Sequence, residues 1–201
     1  MYKKAQKGEY IDILLRSKNT VFSTKDVALM WGEKVSGAVR VRLNYYVRIK
    51  KLIRVHRGLY VKDKNYNRFE LATRINTPSY VSFETVLGSS GLTFQYYGNI
   101  FVASYLSREM EVGGQKITFI KMKNYVLSNT IGIEHKDGYA RATKERAFLD
   151  RMYINKDYYF DNLNGLDWNK VFEILPIFHN KRMENRVKKQ FNEFNNKLKE
   201  K

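Results

Sequence analysis

The chain contains no cysteine and only two prolines, and its 20 acidic residues are outnumbered by 37 Lys and Arg. Without cysteine there is no disulfide, no zinc ribbon and no thiol nucleophile, a composition suited to a reducing compartment. No run of 18 or more apolar residues occurs, and the opening Met1–Lys7 is not followed by an apolar signal core. No membrane partner and a cytoplasmic location are therefore expected. The three histidines, His56, His135 and His179, are scattered and lack metal-ligand spacing. Gly113, Gly114, Gln115 and Lys116 lack the earlier glycine and the following Ser or Thr of a Walker loop. Gly88 and Ser89 with Glu109 and Glu111 have the composition of a nucleotidyltransferase loop, but a magnesium site needs both carboxylates on one face beside the phosphates. Here the two glutamates are expected in a charged surface turn before Gly113. No Ser, Lys or Tyr has a neighbour that would activate it as a nucleophile. No catalytic residue, metal or cofactor is expected, and the chain does not read as an enzyme.

What is present is apolar material for real cores and a strong positive charge. Hydrophobic residues make up 43% of 201 positions, with 15 Tyr and 12 Phe, enough for two domains of modest size. The net charge is +17, and residues 1–68 hold seventeen Lys and Arg against five Asp and Glu, a surplus of 12. Such a field attracts a polyanion. An anionic membrane surface would require a basic amphipathic helix of useful length or a lipid anchor. The first helix is short and no lipidation signal occurs, so duplex DNA is the better match.

The order of elements in this basic third agrees. Tyr10, Ile11, Leu14 and Leu15 recur at helical spacing over about Gly8–Arg16. Ser23 or Thr24 caps a second helix over Lys25–Trp31, which ends at Gly32. The turn Gly32–Val35 delivers the chain to a third helix starting at Ser36. Helix, helix, short glycine-containing turn and helix is the helix-turn-helix order. Residues 52–62 then alternate as strand, turn and strand around His56, Arg57 and Gly58, forming a wing. A polar stretch over 63–67 closes a winged helix-turn-helix DNA-binding domain, residues 1–66.

Winding residues 36–51 at 3.6 per turn places Val39, Leu43, Tyr46 and Val47 on one stripe and Arg40, Asn44, Tyr45, Arg48 and Lys51 on the opposite side. Arg and Asn pair bidentately with guanine and adenine edges, and a helix fits the major groove. The candidate DNA-binding residues are therefore Ser36, Arg40, Asn44, Tyr45 and Arg48 on the helix. Lys51, Arg57, Lys25 and Lys34 are assigned to the backbone. The competing reading is a solvated basic helix held by its apolar stripe.

Beyond residue 68 the patterns alternate. Helices are expected over Arg68–Ile75, from a Ser82 cap to about Ser89, from a Thr143 cap to about Tyr153, near 167–175 and over 181–198. Strands are expected at 99–106 and 115–121, flanking Gly113 and Gly114. A hairpin is expected around Asp137 and Gly138. The fold class is α+β, with the N-terminal winged helix-turn-helix followed by a mixed domain, residues 69–201, ending in helices. The last of these carries Arg182, Arg186, Lys188, Lys189, Lys197 and Lys199 away from an apolar stripe, which packing explains better than DNA contact.

Three segments resemble the AbiEi family, the antitoxin and transcriptional-repressor halves of bacterial abortive-infection toxin–antitoxin pairs. Residues 80–92 run Tyr80, Val81, Ser82 into a Leu at 87 and close on Gly91 and Leu92. Residues 142–150 carry Ala142, Thr143, Glu145, Ala147, Leu149 and Asp150 at the family's Ala-Thr-x-Glu-x-Ala-x-Leu-Asp spacing. The wing has Arg57, Gly58, Leu59 and Tyr60. Ser90 stands where a His is common and Lys144 where a Pro is common. The resemblance covers about residues 8–155. It implies a DNA-binding repressor that autoregulates its operon in phage defence and neutralises a nucleotidyltransferase-like toxin from the neighbouring gene. The residues of these motifs have simpler local roles: Ser82 and Thr143 as N-caps, Glu145 in a first helical turn, and Gly91 as a left-handed helix stop. No local partner is named for Asp150 from the sequence.

Two rivals remain open: a winged-helix transcription factor with no toxin partner, and an RNA-binding protein that stacks bases on its tyrosines. Tyr60, Tyr105 and Tyr139 fall in expected strands, where packing accounts for them.

Overall fold

The computed structural model describes residues 5, 6 and 8–199, with side chains to residue 196. Lys3, Lys4 and Lys7, counted above in the basic third, lie outside the described residues, as do the side chains of Lys197, Leu198 and Lys199. Helix α1 (Glu9–Arg16) is followed by β1 (Val21–Ser23) and α2 (Thr24–Met30). Ser23 rather than Thr24 caps α2, through a reciprocal capping box. Its Oγ accepts from the Asp26 N–H at 3.1 Å, and Asp26 Oδ2 accepts from the Ser23 N–H at 2.8 Å. Ser36 caps α3 (Gly37–Arg48), accepting from the Val39 N–H at 3.4 Å.

Helix α3 ends earlier than its periodicity predicts, so Lys51 lies beyond it rather than on its outer face. Lys50 takes a left-handed φ of 58°. The Lys51 N–H reaches the Tyr46 carbonyl at 2.9 Å and the Lys50 N–H the Val47 carbonyl at 3.0 Å, a Schellman closure without glycine. Leu52, 2% exposed, then turns into the core and carries the chain to β2 (Ile53–His56) and β3 (Leu59–Val61). The strand β1, too short for sequence alternation to reveal, joins them in an antiparallel sheet ordered β1-β3-β2. Leu14, Phe22, Val27, Ala28, Trp31, Val39, Leu43 and Tyr60 form the core between helices and sheet. Trp31 is central, its indole N–H donating to the Tyr10 carbonyl at 2.8 Å.

The remainder is mixed α+β. After α4 (Arg68–Ile75) come β4 (Ser79–Val81), α5 (Glu84–Ser89), β5 (Ile100–Ser104), β6 (Arg108–Val112), β7 (Gln115–Lys121), α6 (Asn124–Leu127), β8 (Ile133–Lys136) and β9 (Tyr139–Ala142). The helices α7 (Lys144–Ile154), α8 (Trp168–Ile174) and α9 (Lys181–Lys199) end the chain, with a 3-10 turn at Leu175–Phe178. The six strands are ordered β6-β7-β5-β4-β9-β8, with β4–β9 and β5–β7 parallel. Alternation along β5 and β7 divides the layers. Ile100, Val102, Ile117 and Phe119 pack with Ala72 of α4, whereas Phe101, Ala103 and Ile120 belong to the core shared with α5, α7, α8 and α9.

Three expectations are corrected. Glu109 and Glu111 lie in β6, not in a turn: β6 pairs with β7 across the Gly113–Gly114 turn, and its charges suit a strand at the sheet edge. The strand β5, expected to flank that turn, pairs parallel to β7 instead. Ser82 caps no helix; Phe83, at φ 54°, precedes α5, and the Ser82 hydroxyl is committed elsewhere. Helix α6 is a single turn with no sequence signature. The Asp137–Gly138 hairpin forms as expected, with both residues at positive φ as a type I′ turn requires.

Helix α4 joins the two sheets, packing on β4, β5 and β9 and also on β1. Val21, Leu59 and Val61 share an apolar cluster with Leu71 and Val112. Above it, buried Glu70 accepts from the Thr20 N–H at 2.8 Å, the Thr20 hydroxyl at 2.7 Å and Arg74 Nε at 3.1 Å.

Candidate nucleic-acid interface

Helix α3 sorts its cations between two environments. Val39 and Leu43 are completely buried, which fixes the rotation of the helix on the core. Arg42, at the border of that stripe, turns inward. Its Nη1 lies 3.2 Å from Glu33 Oε1, and its guanidinium sits 3.7 Å above the centre of the Tyr10 ring. Arg40 and Arg48, one turn on either side of Asn44, remain exposed with Asn44 and Tyr45. Arg48 leans over the Tyr45 ring at 5.7 Å. Among the described residues no carboxylate forms an ion pair with Arg40 or Arg48, nor with Lys25, Lys34, Lys51 or Arg57. Unpaired guanidinium groups on one helical row leave their field and their donor forks to solvent and to any incoming anion.

The other candidates fall around this row. Lys34 and Ser36 lie in the segment entering α3, the Ser36 Oγ engaged in capping. Lys25 is in the first turn of α2, and Arg57 forms the β2–β3 turn with Gly58. The Thr24 N–H donates to the Gly58 carbonyl at 3.0 Å, tying the start of α2 to this turn. Lys25 and Arg57 consequently line one cleft of about 960 Å³, with His56 and, from the other sheet, His135 and Tyr139. Lys51 stands apart, in the link between α3 and β2.

Sequence periodicity missed a second polar constellation, which is internal. Arg146 and Asp150, one turn apart on α7, are both completely buried. Arg146 Nε donates to Asp150 Oδ1 at 3.0 Å. Its Nη1 reaches the carbonyls of Ile131 and Asn129 at 2.7 and 3.3 Å, and its Nη2 the Tyr80 hydroxyl and the Val126 carbonyl at 2.9 and 2.8 Å. All five N–H donors are thus taken. Asp150 also accepts from Ser82 Oγ at 2.8 Å and from the Tyr80 hydroxyl at 3.2 Å. Burial pushes the Asp150 carboxyl upward against the opposing pull of Arg146, and pushes the Tyr80 phenol well above its ordinary value. The network ties α7 to β4 and to the chain around α6. The signal for it was present as an Arg and an Asp four residues apart.

Elsewhere, Arg186 of α9 donates to the Met152 carbonyl at 3.0 Å and Lys189 lies 3.8 Å from Glu193, so these cations serve the helix and its docking. Among the described residues no three His, Asp or Glu gather as a metal site, and no helix is long and apolar enough to cross a membrane. No protein-family model matches the chain, and no curated protein is detectably similar to it.

Proposed function

We propose that the protein is a DNA-binding transcriptional repressor whose residues 1–66 act as a winged helix-turn-helix, with α3 in the major groove and the β2–β3 hairpin as the wing. The observation that carries this reading is the division on α3: Arg42 is held inward by Glu33 and Tyr10, while Arg40 and Arg48 are left exposed and unpaired on either side of Asn44. Arg40, Asn44, Tyr45 and Arg48 face base edges; Lys25, Lys34, Lys51 and Arg57 face phosphates, with Ser36 where the helix enters. We further propose, on the AbiEi-like motifs, that residues 69–201 serve as the antitoxin, neutralising a nucleotidyltransferase-like toxin from the neighbouring gene in the cytoplasm, and that the repressor controls its own operon.

Fluorescence anisotropy on short duplexes tests the first part. With about six phosphates neutralised, raising salt from roughly 50 to 200 mM weakens binding by about 10³-fold. Salt-insensitive binding, or preference for single-stranded RNA at equal salt, defeats it. Co-expression with the adjacent gene product tests the second part: relief of toxicity by the protein supports the antitoxin role, and unrelieved toxicity leaves a transcription factor without a toxin partner.

A further inference from the structure

The outer face of α3 also carries apolar surface that the fold does not use. Val41 is 69% exposed, in the middle of the helix, and belongs to none of the apolar clusters. Ala38, one turn before it, is exposed as well, and Tyr45, one turn after it, is 46% exposed. At positions i, i+3 and i+7 these three form a row beside Arg40, Asn44 and Arg48. A β-branched residue at a solvated helix position is a poorer helix former than Ala, Lys or Glu, so helix propensity does not favour a valine there. The base edges of the major groove are hydrogen-bonding groups with one apolar exception, the 5-methyl group of thymine. That methyl is complementary to a small apolar patch of this size lying beside an asparagine.

Resting on the DNA-binding reading above, we propose that Val41 and Ala38 form a contact site for a thymine methyl group, adjacent to an adenine read by Asn44. The site gives α3 a preference for A·T pairs at defined positions that guanidinium contacts alone do not supply. Burying one methyl group against Val41 corresponds to about fourfold in affinity.

Uracil pairs as thymine does but lacks the methyl group, so it isolates this contact. A preferred duplex is enriched from a random pool with the full-length protein, and each thymine is then replaced by uracil in turn. Affinities are measured for the wild type and for Val41→Ala, whose exposed position and better helix former preserve folding. One replacement is expected to weaken wild-type binding about fourfold and to weaken Val41→Ala binding less than about 1.5-fold. The proposal is overturned if no replacement affects the wild type, or if Val41→Ala loses as much as the wild type does. In both cases DNA binding itself stands. Failure of every duplex to bind overturns the DNA-binding reading and this proposal with it.

Discussion

Arg74 on α4 pairs with Asp26, the residue that closes the capping box of α2, at 2.5 Å. One carboxylate oxygen thereby serves two purposes, accepting from the Ser23 N–H at the start of α2 and from the Arg74 guanidinium of α4. The same guanidinium holds Glu70, whose remaining acceptor capacity goes to Thr20. Local capping of α2 and the seating of α4 on β1 are one connected set of bonds.

Arg74→Ala therefore leaves Glu70 buried with only its Thr20 bonds, and costs about 1–3 kcal/mol. The two tryptophans make the effect separable, since Trp31 sits in the core beneath α3 and Trp168 in that of α7 and α8. Urea unfolding of single-tryptophan variants is expected to give coincident midpoints for the parent. With Arg74→Ala the Trp31 midpoint drops further than the Trp168 midpoint. Unchanged midpoints count against the role of this clasp.

Truncating Asp150 to alanine strands a fully buried guanidinium, and breaking such a pair costs about 3–5 kcal/mol. Chemical denaturation reads the loss directly. A change under 1 kcal/mol would mean that the carbonyls around Arg146 and the Tyr80 hydroxyl suffice without the carboxylate.

The α3 arginines are expected to divide by role. Arg40→Ala or Arg48→Ala lowers duplex affinity by about 1–3 kcal/mol and relaxes preference at one base position if that side chain reads a base. An equal loss on all sequences assigns it to phosphate. Arg42→Ala loses its stack on Tyr10 and its pair with Glu33, so it lowers thermal stability by roughly 1 kcal/mol and leaves affinity nearly unchanged. Affinity and melting measured on the same three proteins distinguish these outcomes.

Alkaline stability follows from the phenols. Burial raises Tyr153 and Tyr158 to about 12 and Tyr80 well above its ordinary value, whereas phenols in the unfolded chain ionise near pH 10. Unfolding then releases protons above pH 10. The stabilisation is complete below about pH 10 and is lost as pH rises through about 12. Absorbance at 295 nm followed with near-ultraviolet circular dichroism should show part of the tyrosine signal appearing only as the fold collapses. A single titration near pH 10 with dichroism intact contradicts this.

Features set by neighbouring residues were legible in the sequence. The Thr143 cap, the Ser23 cap and the type I′ turn at Asp137 and Gly138 depend on atoms a few residues away, and all three formed. The outward row of α3, apart from Lys51 beyond the helix end, followed from its period. What escaped depends on distant partners. Ser82 had the local setting of a cap, but Asp150, 68 residues away, takes its hydroxyl. Arg42 lies at the edge of the apolar stripe, and only Glu33 and the Tyr10 ring decide that it turns inward. The charged stretch Arg108–Val112 becomes a strand because β7 offers it an edge.

The closure of α3 has its own consequence. A lysine in the left-handed region at position 50 is strained, and it sits in the short link between α3 and β2. Glycine would relieve that strain while removing a positive charge, and a β-branched side chain would increase it. On the proposed DNA-binding reading, a substitution that shifted this link would re-aim the arginine row relative to the β2–β3 turn without altering any side chain assigned to the contact.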